Sequence, residues 1–178
     1  MKLDELLLLI PLAVSIVSII IAGMSYNTSR KALRLSESEH DEKKLPIISY
    51  LIDSFSFDIN NENYCFFAVS YTNQSSLQQS FKHLELEIDF IDIDGMHGKS
   101  TTFPCHEIFP PAIYKEYKKL QTPLNLQAKE TVSGWITFKI PTCKHRKVQV
   151  QSYRVIGITS DGKFSKVESF LLRHITNE

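Results

Sequence analysis

The chain has 178 residues, and its 20 Lys and Arg residues balance its 20 Asp and Glu residues, so the formal net charge is zero. Domains that bind nucleic acid usually carry a basic excess, so this balance argues against a nucleic-acid duplex as partner. Eleven Phe and seven Tyr, beside only six Gly and seven Pro, argue against a disordered chain.

An uncharged apolar segment extends from Leu6 to Met24. At about 1.5 Å per residue a helix of this length covers roughly 28 Å, which is close to the roughly 30 Å hydrocarbon core of a bilayer. Pro11 lies in the first turns, where its missing N–H costs less than in a helix interior. We therefore predict one transmembrane α-helix within residues 1–24, with the lipid bilayer as a partner.

A cleaved signal peptide is the alternative for this segment. Signal peptides have a basic N-terminal region, whereas residues 1–5 contain two acids and one Lys. Ile20 and Ile21 are bulky and occupy the upstream position of the small-residue cleavage pattern, before Ala22 and Gly23. The prediction is therefore an anchor that is not cleaved.

The basic residues on either side of the segment predict its orientation. Lys2 stands alone before it, and five basic residues follow it: Arg30, Lys31, Arg34, Lys43 and Lys44. Because cytoplasmic flanks carry such an excess, we expect a single-pass protein of the cell (inner) membrane. The short N-terminus then lies outside, and the C-terminal domain is cytoplasmic.

The cysteine count agrees with that compartment. The chain has three widely spaced cysteines, Cys65, Cys105 and Cys143. An odd number is compatible with a reducing compartment, although one disulfide plus one free thiol also fits it.

Residues 25–45 predict a charged helical stalk. They contain no Gly or Pro, and Glu39 and Lys43 have a favourable four-residue spacing for a helix. An oligomerising helix is the alternative, but the apolar content is too low for a heptad seam. If the chain forms a homo-oligomer, we expect the membrane helix or the β domain to drive it rather than the stalk.

Residues 46–178 predict one β domain. Stretches rich in Val, Ile, Phe, Tyr and Thr alternate with turn residues. Seven strands are predicted, at 47–57, 64–72, 84–93, 100–103, 131–140, 147–159 and 164–173. This number of short strands favours a mainly β fold, an immunoglobulin-like two-sheet sandwich, although the Cys and Trp spacing of true immunoglobulin domains is absent.

Alternation within two of these strands predicts which residues enter the core. Leu84, Leu86, Ile88 and Phe90 alternate with acidic residues, and Trp135, Thr137 and Lys139 alternate with Ile136, Phe138 and Ile140. Such patterns are typical of strands with one face in the core and one in water. The Asp161-Gly162 pair predicts a short hairpin between the last two strands.

An insertion at about residues 104–127 interrupts the strand rhythm. Its segment AIYKEYKKL predicts a short amphipathic helix with Ile113, Tyr117 and Leu120 on one face. A long insertion in a compact domain is more often functional than not.

Three features of the sequence resemble short bacterial membrane-anchored proteins of unassigned function. The first is the apolar N-terminal helix with its charged stalk. The second is a strand ending in Asn73-Gln74-Ser75, followed by the alternating strand with Leu84 and Leu86. The third is the stretch from Glu130 to Pro141. The resemblance covers most of the chain and implies an anchored immunoglobulin-like domain, without implying an activity.

Neither of two candidate metal sites fits the usual ligand spacing. Cys105-His106-Glu107 and Cys143-Lys144-His145 lack the two-to-four-residue spacers of zinc ligands. The acidic stretch from Asp89 to Gly95 lacks the later bidentate Glu of a calcium loop and is better explained as a strand end with a turn. We predict no metal and no cofactor.

Two basic runs are the candidate ligand-binding residues. If the fold brings the two runs together, they provide donors for a phosphate-bearing ligand or for the membrane surface. An ordinary loop and a solvated helix face remain the alternative explanation. The residues are Lys115, Lys118 and Lys119 in the insertion, and Lys144, His145, Arg146 and Lys147 in the second run.

No catalytic motif is present: the sequence has no nucleophile elbow, no Gly-rich phosphate loop and no His-Glu-x-x-His helix. The leading hypothesis is therefore a non-enzymatic membrane-anchored binding module at the cytoplasmic face, which holds an unknown protein or a small phosphorylated ligand. One alternative is a membrane effector of bacterial antiviral defence that senses a phosphorylated signal such as a cyclic nucleotide. An extracytoplasmic anchored domain and an anchored hydrolase are further alternatives.

Overall fold

The computed structural model describes residues 3–60, 62–108, 117–140 and 148–175, with α-helical side chains described at residue 11 and from residue 14 onward. The chain divides into two compact units, residues 1–44 and 45–178. The first unit is a helix and the second is a β domain, and each is considered separately below.

A single helix, α1, forms the first unit and extends over Leu3–Lys43. It therefore continues from the apolar segment into the predicted stalk without a break. Ser15, Ser18 and Thr28 donate their hydroxyl hydrogens to carbonyl oxygens four residues earlier, at 2.8 to 3.0 Å. Within the described part of the chain, no helix is both long enough and apolar enough to cross a membrane, so the predicted transmembrane helix is not supported.

The second unit is mainly β and consists of two sheets. Its described strands are β1 (Ile47–Ile59), β2 (Glu62–Asn73), β3 (Gln79–Asp92), β4 (His97–Thr102), β5 (Lys118–Lys119), β6 (Leu124–Leu126), β7 (Thr131–Lys139), β8 (Val148–Thr159), β9 (Phe164–Ser169) and β10 (Arg173–Ile175). Sheet A has the order β10-β1-β2-β7-β5, and sheet B has the order β4-β3-β8-β9, with β6 paired to β3. The mainly β class with two sheets confirms the coarse sequence prediction.

The main core lies between the two sheets. Cys65, Phe67 and Val69 of β2 and Ile136 of β7 contribute from sheet A, and Leu86 of β3 is one of the contributors from sheet B. Each of these side chains is at most 1% exposed. The predicted inward face of β3 is confirmed, because Leu84 and Ile88 are buried in the same cluster.

A second apolar cluster covers the opposite, outer face of sheet A. Phe55, Phe66 and Trp135 form its centre: the Phe55 and Phe66 rings stack at 4.9 Å, and Trp135 meets Phe55 edge-on at 5.3 Å. Thr137 is also buried there. The prediction that β7 exposes one face to water is therefore wrong, because part of the insertion covers that face.

The described end of the insertion returns to sheet A as a strand, whereas residues 112–116, which make up most of the predicted helix, lie outside the described residues. Lys118 and Lys119 form β5, which pairs in parallel with Gly134 and Trp135 of β7. Tyr117 packs on the outer cluster, whereas Leu120 packs in the main core. These two side chains lie on different faces of sheet A because the backbone is extended there. Ile113 lies outside the described residues.

The predicted hairpin at Asp161-Gly162 is confirmed. Gly162 has a φ of +82°, a conformation that glycine adopts without a steric penalty. The Thr159 N–H donates to the Lys163 carbonyl oxygen at 2.9 Å and closes the turn between β8 and β9.

Candidate functional site

The predicted ligand-binding lysines of the insertion have different environments. Lys118 is exposed, and Lys119 is half-buried. Lys115 and the whole second run, Lys144, His145, Arg146 and Lys147, lie outside the described residues. The structure thus does not show whether the two basic runs come together, and the phosphate-binding site stays a prediction.

Lys119 holds the start of the insertion in place. Its ammonium group donates to the carbonyl oxygens of His106 at 2.6 Å and Ile108 at 2.9 Å. The Thr137 hydroxyl donates to the same Ile108 oxygen at 3.2 Å. Partial burial lowers the pKa of Lys119. Both hydrogen bonds join the Lys119 ammonium group to the backbone of its own domain. We therefore interpret Lys119 as a structural residue.

Replacing Lys119 should loosen this part of the insertion. In Lys119→Met the two carbonyl oxygens lose a charged donor, and we expect a loss of about 1 kcal/mol in the free energy of unfolding. Cys105, which packs against the outer cluster, should then react faster with a thiol reagent. The measurement is the rate of thiol modification in a Cys143→Ser background.

The matched control is Lys118→Met, because the Lys118 side chain is the exposed neighbour in the same strand. It should leave both stability and thiol reactivity unchanged. Equal reactivity of Cys105 in the two variants would contradict the structural role of Lys119.

Among the described residues, Cys105 and His106 do not converge with other side chains that could serve as metal ligands. Cys105 is a free thiol, and its N–H donates to the Thr137 carbonyl oxygen at 2.7 Å. The His106 Nε2 atom lies 3.4 Å from the Thr122 hydroxyl oxygen. No group of three His, Cys, Asp or Glu side chains converges among the described residues. Cys143 lies outside them.

A cluster of charged side chains on the outer face of sheet B is the candidate site that the sequence reasoning missed. Arg154 of β8 lies at its centre and pairs with Glu87 and Asp89 of β3 on one side. Its Nε atom donates to Glu168 of β9 at 2.9 Å on the other side. Lys99 of β4 extends the cluster, with its Nζ atom 3.4 Å from the Glu87 carboxylate.

Strand register creates this cluster. Glu87 is opposite Arg154, and Asp89 is opposite both Ser152 and Lys99, on strands that adjoin β3 from its two sides. The acidic alternation of β3 is visible in the sequence, but the basic residues that face it are 10 and 67 positions away. Only the pairing of the strands brings them together.

The Arg154 guanidinium favours the ionised form of one carboxyl group in the cluster, that of Glu168. The hydrogen bond from Arg154 is the largest of the effects that hold the pKa of Glu168 below its usual range. The side chain of Arg154 is only 19% exposed, so its contacts are partly shielded from water. Three carboxylates held by one guanidinium form a preorganised surface, which suits recognition of a ligand.

Arg154→Lys should weaken this arrangement, because an ammonium group cannot replace the planar fork that reaches three carboxylates. We expect a loss of about 1 to 2 kcal/mol near pH 7. A carboxyl with a lowered folded-state pKa stabilises the fold above its unfolded pKa and loses this contribution as the pH falls through the folded value. The difference between Arg154→Lys and the native chain should therefore shrink below about pH 4.

Denaturant unfolding at several pH values measures this difference. Lys99→Met is the control, since the Lys99 side chain is 62% exposed and its ion pairs should contribute less than about 0.5 kcal/mol. A difference for Arg154→Lys that is independent of pH would contradict the expected role of Glu168.

Comparisons with known proteins identify no family for this chain. No protein-family model matches the sequence, and no curated protein matches it. Among solved structures, the X-ray structure of Northeast Structural Genomics Consortium target SoR45 aligns over 69% of this chain and 78% of its own, with 9% sequence identity and a TM-score of 0.22. A TM-score of this size adds nothing to the interpretation of the fold or the site.

Proposed function

We propose that the chain is a non-enzymatic, membrane-anchored binding module whose immunoglobulin-like β domain recognises its partner or ligand at the cytoplasmic face. The supporting observation is the apolar surface of α1. Seven large apolar side chains between residues 14 and 24 of α1 are 51% to 71% exposed: Val14, Ile16, Val17, Ile19, Ile20, Ile21 and Met24. Since exposed apolar area costs about 25 cal/mol per Å² in water, a contiguous surface of this kind favours an apolar environment.

The polar side chains within this surface also suit lipid. The Ser15 hydroxyl donates to the Pro11 carbonyl oxygen, and the Ser18 hydroxyl donates to the Val14 carbonyl oxygen, both at 2.8 Å. An unsatisfied polar group in hydrocarbon costs several kcal/mol, so internal bonding of each hydroxyl lowers the cost of placing it there. The uncharged sequence continues toward the N-terminus as far as Leu6.

Two further observations support the cytoplasmic orientation. The basic excess follows the apolar segment and does not precede it. Cys65 and Cys105 are free thiols, as is usual in a reducing compartment. Cys65 is fully buried, and its burial raises the pKa of its thiol, so it behaves as an inert apolar core residue.

Extraction of membranes at alkaline pH tests the anchoring. The native chain should stay in the membrane pellet. Ile16→Lys places a charge near the middle of the apolar segment, where it costs about 2.5 to 3.5 kcal/mol for insertion, and should move much of the protein to the supernatant. Leu35→Lys is the matched control: Leu35 is also an exposed residue of α1, but it lies beyond the apolar segment.

The proposal predicts that Leu35→Lys remains in the pellet. Release of the native chain by alkaline extraction, or equal partition of the two lysine variants, would overturn the anchoring. That result would leave the binding properties of the β domain to be judged separately.

A further inference from the structure

An exposed apolar surface lies on the outer face of sheet A, at the beginning of β1. Ile47 and Leu51 pack in or against the main core, so the residues that alternate with them point away from it. These outward residues are large and apolar, and each is 36% to 68% exposed: Ile48, Tyr50 and Ile52. No charged residue interrupts the strand between residues 47 and 52, so the apolar surface is continuous along it.

The link between β9 and β10 extends this surface. Phe170 and Leu171 in the link are 72% and 80% exposed. The guanidinium of Arg173, which follows the link, donates to both carboxylate oxygens of Asp53 at 2.6 Å. This contact holds the link beside the residue that follows Ile52 in β1. We call the five residues together the β1 patch: Ile48, Tyr50, Ile52, Phe170 and Leu171.

The area of the β1 patch is what a symmetric dimer needs. From their exposed fractions, the five residues together present roughly 600 Å² to solvent. The largest apolar patch on a typical monomer is about 300 to 600 Å² and is often functional. Two copies that cover each other's patch would remove roughly 1,200 Å² from water, which reaches the lower limit for a specific complex.

The charges beside the patch balance, which suits contact with an identical surface. Asp53 and Arg173 form one ion pair at its edge. β9 runs along the same side of β1, since the Ser49 hydroxyl donates to the Lys166 carbonyl oxygen at 3.0 Å, and it adds one charge of each sign, Lys166 and Glu168. In a two-fold dimer a surface meets its own copy, so an excess of one sign would be repulsive. A balanced edge also gives no preference for anionic lipid.

The polar surface next to the patch is suited to burial as well. Thr72 and Ser70 of β2 lie opposite the outward residues of β1. The hydroxyl oxygens of Thr72 and Thr131 are 2.9 Å apart, and the Ser133 hydroxyl donates to the Ser70 oxygen at 2.9 Å. Because these hydroxyl groups already bond to each other, a partner surface that excludes water from them leaves fewer groups unsatisfied.

We propose that a second copy of this chain covers the β1 patch, so that two β domains form a two-fold symmetric dimer with Tyr50 near the axis. Tyr50 lies between Ile48 and Ile52, and aromatic residues at the centre of an interface usually contribute most to binding. This inference goes beyond the proposed function, because it concerns self-association through the β domain. It does not depend on anchoring in a membrane, so failure of the alkaline extraction test and failure of dimerisation are separate results.

Sedimentation of the full chain in a density-matched mild detergent tests the proposal. The native chain should be dimeric at micromolar concentrations. Tyr50→Lys places a charge in the centre of the patch and should weaken the dimer at least tenfold. Phe170→Lys changes a residue outside the regular strands, so it should weaken the dimer while the unfolding midpoint stays close to that of the native chain. Phe103→Lys is the matched control, because Phe103 is a 63% exposed aromatic residue that follows β4 in sheet B, and it should associate like the native chain.

Cross-linking at the proposed axis distinguishes the β1 patch from association through α1. In a Cys105→Ser and Cys143→Ser background the remaining Cys65 is buried. Tyr50→Cys should then give covalent dimers with a short bis-maleimide reagent, whereas Phe103→Cys should not. A monomeric native chain, undiminished association in Tyr50→Lys or Phe170→Lys, or equal cross-linking at the two positions would each overturn the proposal. The first of these results would leave the patch to a different protein.

Discussion

Asn73→Ala should cost about 3 kcal/mol in the free energy of unfolding, because it removes the amide that joins two loops of the β domain. The Asn73 side chain is fully buried. Its Nδ2 atom donates to the carbonyl oxygens of Leu77 and Gln127, both at 2.8 Å, and its Oδ1 atom accepts the Ser75 N–H at 2.9 Å. Without the amide, these groups stay buried and lose their partners.

Denaturant unfolding of the full chain, followed by the fluorescence of the single Trp, measures this loss. Asn125→Ala is the control, since Asn125 is an exposed asparagine on the neighbouring strand β6 and should change stability by less than about 0.5 kcal/mol. Asn73→Asp keeps the shape of the side chain but replaces its donors with a charge, so it should destabilise at least as much as alanine. Native stability in either Asn73 variant would contradict the linking role.

Gly134→Ala should displace β5 and expose the aromatic cluster on the outer face of sheet A. A Cβ atom at residue 134 would lie 2.3 Å from the Lys118 carbonyl oxygen and 2.7 Å from the Leu120 side chain. The backbone contact leaves no rotamer that relieves the clash, so the end of the insertion must move. We expect a loss of about 2 to 3 kcal/mol, at the upper end of the cost of overpacking.

Trp135 reports this movement directly, since it is the only Trp of the chain and is 2% exposed. Its emission maximum should shift to longer wavelength in Gly134→Ala under native conditions. Ser133→Ala, a change in the same strand that removes one hydroxyl contact with Ser70, should leave the maximum unchanged. An unshifted spectrum in Gly134→Ala would show that β5 does not pack against Gly134.

Local alternation predicted the parts of the fold that depend on neighbouring residues. The inward face of β3 follows from Leu84, Leu86 and Ile88, whose spacing of two residues matches the strand period. The Asp161-Gly162 turn follows from a conformation that glycine favours. In both cases the decisive interactions lie within a few positions of the chain.

The same pattern failed where a distant segment decides the environment. Trp135 and Thr137 alternate with apolar residues like an exposed face, but the insertion covers them. Ile108 and Tyr117 pack against the cluster that contains Trp135, and the Thr137 hydroxyl donates to the Ile108 carbonyl oxygen. Likewise, Lys118 and Lys119 belong to the segment AIYKEYKKL, for which the sequence predicts an amphipathic helix, and yet they pair as a strand with β7. Long-range pairing overrides local propensity in such segments.

The candidate site was even less predictable. The sequence predicts ligand-binding residues in two basic runs, whereas the described charged cluster is centred on Arg154 and on carboxylates from two other strands. Asn73-Gln74-Ser75 is a feature that the sequence shares with anchored proteins of the class it resembles, but its structural role depends on a carbonyl group more than 50 positions away. The alternative function as a defence effector stays a prediction, since its basic run at residues 144–147 lies outside the described residues.

We propose that the β domain works at the cytoplasmic face of a membrane, and reporter fusions after Glu178 test this proposal most directly. One fusion carries a reporter that is active only in the cytoplasm, and the other carries a reporter that is active only outside it. We expect activity of the first reporter alone, with the fusion protein recovered in the membrane fraction. Activity of the second reporter alone would contradict the cytoplasmic orientation, and recovery in the soluble fraction would contradict the anchor.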